Sequence, residues 1–244
     1  MTKNIRLTIG IIAAIILPAC IFPATSLPAI DDQAATSVSV LPTQPETPTV
    51  IPTTTNILLN DDFSMESAEL ENFSNESGSV ETKDGAYVVR TTGELWKWGR
   101  TESDFGDTII EFDTVIAIGP TNNNAGVGVI CRLQTRGDNS VDGYLFAISG
   151  DGFYSIHNIA SSSMDPLVHW TYSDTINQGS LENKIRATCN GSELKLEVNG
   201  KILATASIEV NGSQPGGLAF AAVSFDNAEP VIEAHFDNLV VTKP

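Results

Sequence analysis

The sequence predicts an all-β protein, a two-sheet antiparallel β-sandwich that begins at residue 57. Three observations point there. Short apolar or alternating runs fill residues 57–244, turn dipeptides separate them, and no long segment carries the 3.6-residue apolar period of a helix. The first run is ILLNDDF at 57–63 and the last is VIEAHFDNLVV at 231–241. These two are expected to pair, bringing the two ends of the domain together. Between them Asp84-Gly85, Asp151-Gly152, Asn190-Gly191 and Asn199-Gly200 each sit between β-rich runs, and such pairs tolerate the positive φ of tight hairpins. The clearest hairpin is SELKLEVNGKILATASI, where Leu194, Leu196 and Val198 alternate with charges before Asn199-Gly200. Only Ser64–Leu70 has room for a turn or two of helix. Roughly a dozen strands joined this way make a sandwich or jelly roll.

The segment before residue 57 has a different composition. Lys3 and Arg6 precede an apolar stretch from Leu7 to Leu17, too short to cross a bilayer, which takes about 20 apolar residues. It ends in Leu17-Pro18-Ala19-Cys20, which resembles a bacterial lipobox with Cys20 as the lipidated residue. Pro18 departs from the usual small or β-branched residue at that place, and an ordinary secretory signal is the other reading. Both readings export the chain. Residues 21–56 are rich in Thr, Ser and Pro without apolar periodicity, the composition of a disordered tether. As a flexible coil it spans roughly 30 Å. The expected organisation is a lipoprotein-type signal over 1–20, a tether over 21–56 and one sandwich over 57–244. The membrane is then met through the lipid alone, at the cell surface.

Thirteen Lys and Arg against 30 Asp and Glu give a net charge of −17. That charge argues against nucleic acid and anionic lipid headgroups as partners. Cations, neutral sugars and solubility in an exported setting are all compatible with it. His157, His169 and His235 are scattered without zinc-ligand spacing, and no Gly-rich phosphate loop or Ser-centred nucleophile elbow occurs.

The succession FGDTIIEFD (105–113), GVGVICRL (126–133), YLFAISGDGFYSIHNI (144–159), INQGSLENKIRATC (176–189) and LKLEVNGKIL (194–203) is similar to exported bacterial domains of the concanavalin A-like lectin/glucanase superfamily. Laminin-G-like, 3-keto-disaccharide hydrolase-like and family-16-glycoside-hydrolase-like domains belong to it. The resemblance covers about residues 60–244 and rests on strand order and turn placement. It implies a concanavalin A-like jelly roll. Cys131 and Cys189 fall inside it, each in an expected strand, and an exported address is oxidising. A disulfide between them, worth roughly 4 kcal/mol, is favoured over two buried thiols.

Glu111-Phe112-Asp113 raises the question of catalysis. A strand puts both carboxylates on one face, about 7 Å apart, whereas a retaining glycosidase needs two carboxyls roughly 5–5.5 Å apart. Family-16 glucanases meet this with Glu-x-Asp-x-x-Glu or Glu-x-Asp-x-Glu on one strand. Here Val115 and Ile116 stand where the second Glu belongs, so the acid that would protonate the leaving oxygen is missing. The strand reads plainly without catalysis, with Ile110, Phe112 and Ile116 facing inward and Glu111 and Asp113 outward.

Trp96-Lys97-Trp98 places two indoles on one strand face, and flat indoles suit the C–H faces of pyranoses. Packing on the sandwich is the competing role for Trp96 and Trp98, and Tyr144, Tyr154 and Trp170 are expected to be structural. Asp138, Ser140 and Asp142 follow the Asp-x-Ser-x-Asp-Gly order of a calcium loop, but Ser149 occupies the place of the bidentate Glu. A solvated hairpin competes with a structural Ca2+ site there. Asp61 with Asp237 is a second acidic pair to consider if the terminal strands meet. No other cofactor is indicated. The expected activity is non-catalytic binding of a glycan or other surface polymer, with Trp96, Trp98, Glu111 and Asp113 as candidate contacts. A hydrolase on a modified disaccharide and a purely structural or protein-interaction domain are the alternatives.

Overall fold

The computed structural model describes residues 56–93, 95–209 and 214–244. The expected signal, Cys20 and the tether up to residue 55 lie outside the described residues. Among the described residues there are fifteen strands and no helix. The larger sheet contains β1 (Ile57–Asp61), β2 (Phe73–Asn75), β3 (Gly78–Lys83), β4 (Ala86–Thr91) and β6 (Thr108–Ile118). It continues with β11 (Asn183–Asn190), β12 (Glu193–Val198), β13 (Lys201–Ser207) and β15 (Ile232–Thr242). The smaller sheet contains β5 (Lys97–Arg100), β7 (Ala125–Thr135), β8 (Val141–Ser149), β9 (Phe153–Ala160), β10 (Ser163–Tyr172) and β14 (Gly217–Ser224). The nine-stranded sheet runs β13-β12-β11-β6-β15-β4-β3-β2 with β1 on β15, and the six-stranded sheet runs β10-β9-β8-β7-β14-β5. All strand pairs are antiparallel. The sandwich is therefore as the sequence leads one to expect, including the pairing of the first and last runs through Asp61↔Leu239.

Turn chemistry sets several registers. Asp84 and Gly85 close β3–β4 with φ of 53° and 81°, and Asn199 and Gly200 close β12–β13 with 50° and 80°. Those angles match the right-handed twist of the flanking strands. Ser64–Leu70 forms bends rather than helical turns, and the Ser67 Oγ accepts from the Glu69 and Leu70 amides. Between the sheets Phe112, Phe220 and Phe236 meet at ring separations of 4.4–5.9 Å, with Phe63 and Tyr87 beside them. The disulfide Cys131–Cys189 ties β7 of one sheet to β11 of the other, with Cα atoms 6.9 Å apart. It is a covalent staple between layers.

Candidate functional site

The strands of the smaller sheet are apolar on both faces, and this locates the site. Along β14, Phe220 and Ala222 point into the core while Ala219 and Ala221 point out. Their neighbours on the outer face are Ile130 and Gly128 of β7, and Leu145 and Ala147 of β8. Outward residues of a two-layer sandwich are normally solvated. Here Ile130, Leu145, Ala147, Ala219 and Ala221 are almost completely buried, because Trp96, Trp98, Met164 and Trp170 pack over them. The chain has three tryptophans, and all three lie on this face, each half-buried.

Each indole reaches the face by a different route. Trp98 stands on β5 opposite Ala221. Trp96, just before β5, packs on the same cluster. Trp170 comes from β10, at the far edge of the sheet. Phe225, just after β14, lies edge-to-face against both Trp96 and Trp170, at 6.0 and 5.7 Å. The glycine at position 126 makes room for them. A Cβ there would sit 3.0 Å from both the Phe225 and Trp96 rings.

A shallow cleft of about 280 Å³ opens beside these rings, walled by Phe153, Trp170 and Phe225. Its polar side is Asn124, Ser149 and Asp151. The buried Ser149 hydroxyl donates to Asp151 Oδ1 and accepts from the Phe153 amide at 3.0 Å, fixing the β8–β9 hairpin. Asn124 is held by its backbone, its amide bonded to Asn122 Oδ1 and its carbonyl to the Phe225 amide. A few hydrogen-bonding groups converging beside aromatic walls is the usual constitution of a small-ligand site. His157 flanks it at 5.9 Å from Trp170. Burial first, and the neighbouring His169 second, push the His157 pKa down. Its Nε2 meets Ser155 Oγ at 2.9 Å, while Nδ1 is buried without a hydrogen-bond partner among the described residues.

Glu111 and Asp113 are not part of this arrangement. They stand on the outer face of the larger sheet, on the opposite side of the sandwich from the tryptophans, so the four candidate contacts do not form one site. Glu111 pairs with Arg186 at 3.1 Å, and Asp113 accepts from Asn238 Nδ2 at 2.9 Å. The inward residues Ile110, Phe112 and Ile116 are buried as the alternation requires. The acidic candidates for a cation are likewise committed elsewhere. Asp138 accepts from the Ser140 amide and hydroxyl at 3.0 and 2.7 Å, while Asp142 pairs with Arg136 at 2.6 Å and takes the Ser161 amide. Asp61 caps the Phe63 amide, and Asp237 takes the amide of Asn238. Calcium takes six to eight oxygens, and among the described residues no three His, Cys, Asp or Glu are grouped for a metal.

Trp170, Phe225, Phe153, Asn124 and Asp151 carry no local motif, and Trp170, expected to be structural, packs on the same outer cluster as Trp96 and Trp98. The usable signal was spacing within apolar runs. Small residues at alternate places, Gly126 and Gly128, then Ala219 and Ala221, leave room for large rings above the sheet.

No family model matches the chain, and no curated protein matches it in sequence. Solved structures do match. A prokaryotic β-1,3-1,4-glucanase (lichenase) derived from a mouse hindgut metagenome is 13% identical with a TM-score of 0.55, over 76% of this chain and 98% of that one. The fold is concanavalin A-like. A Bacillus licheniformis β-glucanase gives 14% and 0.53 over 78% and 99%. A Bacillus subtilis protein of unknown function with a galectin-like fold gives 10% and 0.54 over 77% and 96%. This concanavalin A-like sandwich agrees with the family resemblance of the sequence runs, and at these identities the likeness speaks for architecture.

Proposed function

We propose that this protein is a non-catalytic glycan-binding module, exported and anchored at the cell surface through Cys20. The observation that carries the reading is the gathering of all three tryptophans on one outer face, beside a cleft with Asn124 and Asp151 at its polar end. Half-exposed indoles give sugar rings flat apolar surfaces, and the amide and carboxylate take up hydroxyls. A net charge of −17 favours a neutral polymer at that face. The disulfide suits an oxidising compartment. Glucanases among the structural neighbours make neutral β-glucans the first ligands to try.

Binding is favoured over hydrolysis by the acid count in the cleft. A retaining or inverting glycosidase positions two carboxyls across the scissile bond, and the cleft lining contains Asp151 alone. Affinity electrophoresis through gels carrying neutral polysaccharides, with and without calcium, tests the proposal. Retardation by at least one polymer, without release of reducing sugar, is the expected result. Unretarded migration through a broad neutral panel would remove the glycan and leave a protein partner or a structural role.

A further inference from the structure

Two recesses on the smaller sheet differ in how their charges are committed. A bulge at Arg132, with φ of 53°, borders a pocket of about 230 Å³ at the β7–β8–β9 end. Its arginines are neutralised locally, Arg132 by Asp107 at 2.7 Å and Arg136 by Asp142 at 2.6 Å. The cleft beside Trp170 is the opposite case. Asp151 is the one charged side chain in its lining, and no cation pairs with it among the described residues. One of its carboxylate oxygens accepts from the Ser149 hydroxyl, and the other takes no partner there.

The walls around that carboxylate are aromatic and held in place. Trp170 and Phe225 meet edge-to-face at 5.7 Å, and Phe153 completes the walls. Phe153 rests on the Tyr172 ring at 5.6 Å, and the Tyr172 hydroxyl accepts from Gln178 Nε2 at 3.3 Å. Gly152, at φ of 95°, turns the chain between Asp151 and Phe153, where a Cβ would sit 3.0 Å from the Tyr172 ring. Phe225 is set by its loop, since its amide bonds the Asn124 carbonyl and Asn122 Nδ2 donates to Asp226 at 2.7 Å. Little hydrogen-bonding capacity remains. The Ser149 hydroxyl is already used by Asp151 and the Phe153 amide, which leaves the second Asp151 oxygen and the Asn124 side-chain amide.

Three aromatic rings, one unpaired carboxylate and few acceptors suit a cation that has no N–H groups. Aromatic rings attract a cation within about 6 Å through their quadrupole, more strongly where water is excluded. A primary ammonium would bring three donors, and only two side chains here could receive them. The cleft, about 280 Å³, lies just below the roughly 300–1,000 Å³ of sites for drug-sized ligands, so it suits one small group.

We propose that this cleft binds a trimethylammonium group of the choline type, charge against Asp151 and methyls among Phe153, Trp170 and Phe225. The Asn124 amide is left for the choline oxygen, and the net charge of −17 favours a cation. Choline carries no sugar, so this site and the glycan reading can fail separately. Calorimetric titration of the purified full chain with choline tests it, beside ethanolamine and the uncharged analogue with carbon in place of nitrogen. Saturable binding of choline is expected, about tenfold weaker in Asp151→Asn and in Phe225→Leu. Asp151→Asn keeps an acceptor for Ser149 and Phe225→Leu keeps an apolar side chain, and thermal midpoints near that of the parent would show the losses to be local. Glu111→Gln removes the same charge from the other sheet and is expected to leave choline affinity unchanged. Ethanolamine and the carbon analogue are each expected to bind at least about tenfold more weakly than choline. Glycerophosphocholine separates the sources of the group. Binding equal to that of choline would uphold the site for an esterified headgroup, and binding of choline alone would uphold it for the free amine. Absence of saturable binding by both would overturn the proposal. So would equal binding of ethanolamine or the carbon analogue, parent affinity in Asp151→Asn or Phe225→Leu, or an equal loss in Glu111→Gln.

Discussion

On the outer face of the nine-stranded sheet, Glu111 meets Arg186 and Glu233 meets Arg90 across neighbouring strands, and His235, two places along the same strand, bonds Glu233. On the outer face of the six-stranded sheet, Ile130, Leu145 and Ala221 disappear beneath indoles. Both faces point away from the same core. The first is a ladder of partly exposed ion pairs of the kind that contribute little energy and keep a sheet soluble. The second covers its apolar surface with rings that are themselves half-exposed. A sheet that needed only solubility would have repeated the first solution. This difference is what the proposal of ligand contact at the smaller sheet rests on.

The disulfide is the largest lever, since it joins the two layers that carry these faces. Replacing Cys131 and Cys189 by alanine is expected to cost about 2–5 kcal/mol in chemical denaturation, with both faces lost together at a lower midpoint. Next comes the aromatic cover alone. In Gly126→Ala a methyl would meet the Phe225 and Trp96 rings at 3.0 Å, so those rings must move. A severalfold loss of glycan affinity is expected in a binding titration, with a shift in thermal midpoint of only a few degrees. Unchanged affinity would mean that these two rings are only packing.

Histidine titration separates the faces further. His157, beneath Trp170, has its pKa lowered from the ordinary 6.5, chiefly by burial. The folded state therefore keeps the ring neutral over a range where the unfolded chain takes up a proton. Its contribution is present above pH 6.5 and is lost as pH falls toward the lowered folded value. His157→Gln is expected to flatten the loss of stability below pH 6.5 in a series of denaturation curves. The smallest effect belongs to the charged ladder. Glu111→Gln and Asp113→Asn are each expected to change stability by about 1 kcal/mol or less, and to leave glycan affinity as it was.

Much of this architecture was legible in the residues. Turn pairs such as Asn199-Gly200 announce hairpins because few residues accept their backbone angles, and the Glu111–Ile116 strand shows its two faces by alternation. Even Trp96 and Trp98 declared a shared face, since two-residue spacing is local information. The cleft did not declare itself. Phe153, Trp170 and Phe225 come from β9, β10 and the turn after β14, and the sheet order β9-β8-β7-β14 brings them together only through a long-range crossover. The bulge at Arg132 was equally silent, because a single left-handed residue leaves no composition signal, yet it exchanges Leu133 for Gln134 on the inner side. The same bulge pairs Arg136 with Asp142, a residue that the loop order had offered to calcium.

Intrinsic tryptophan fluorescence asks most directly which face meets the ligand, because every tryptophan of the chain reports from the smaller sheet. The protein is titrated with a panel of neutral polysaccharides, beside Trp98→Ala, Trp170→Ala and the Glu111→Gln/Asp113→Asn double variant. The predicted result is a saturable spectral change, with affinity about 30-fold weaker or lost in either tryptophan variant and unaltered in the double variant. A flat response across the panel, or binding that survives both tryptophan variants and fails in the double variant, would contradict the assignment.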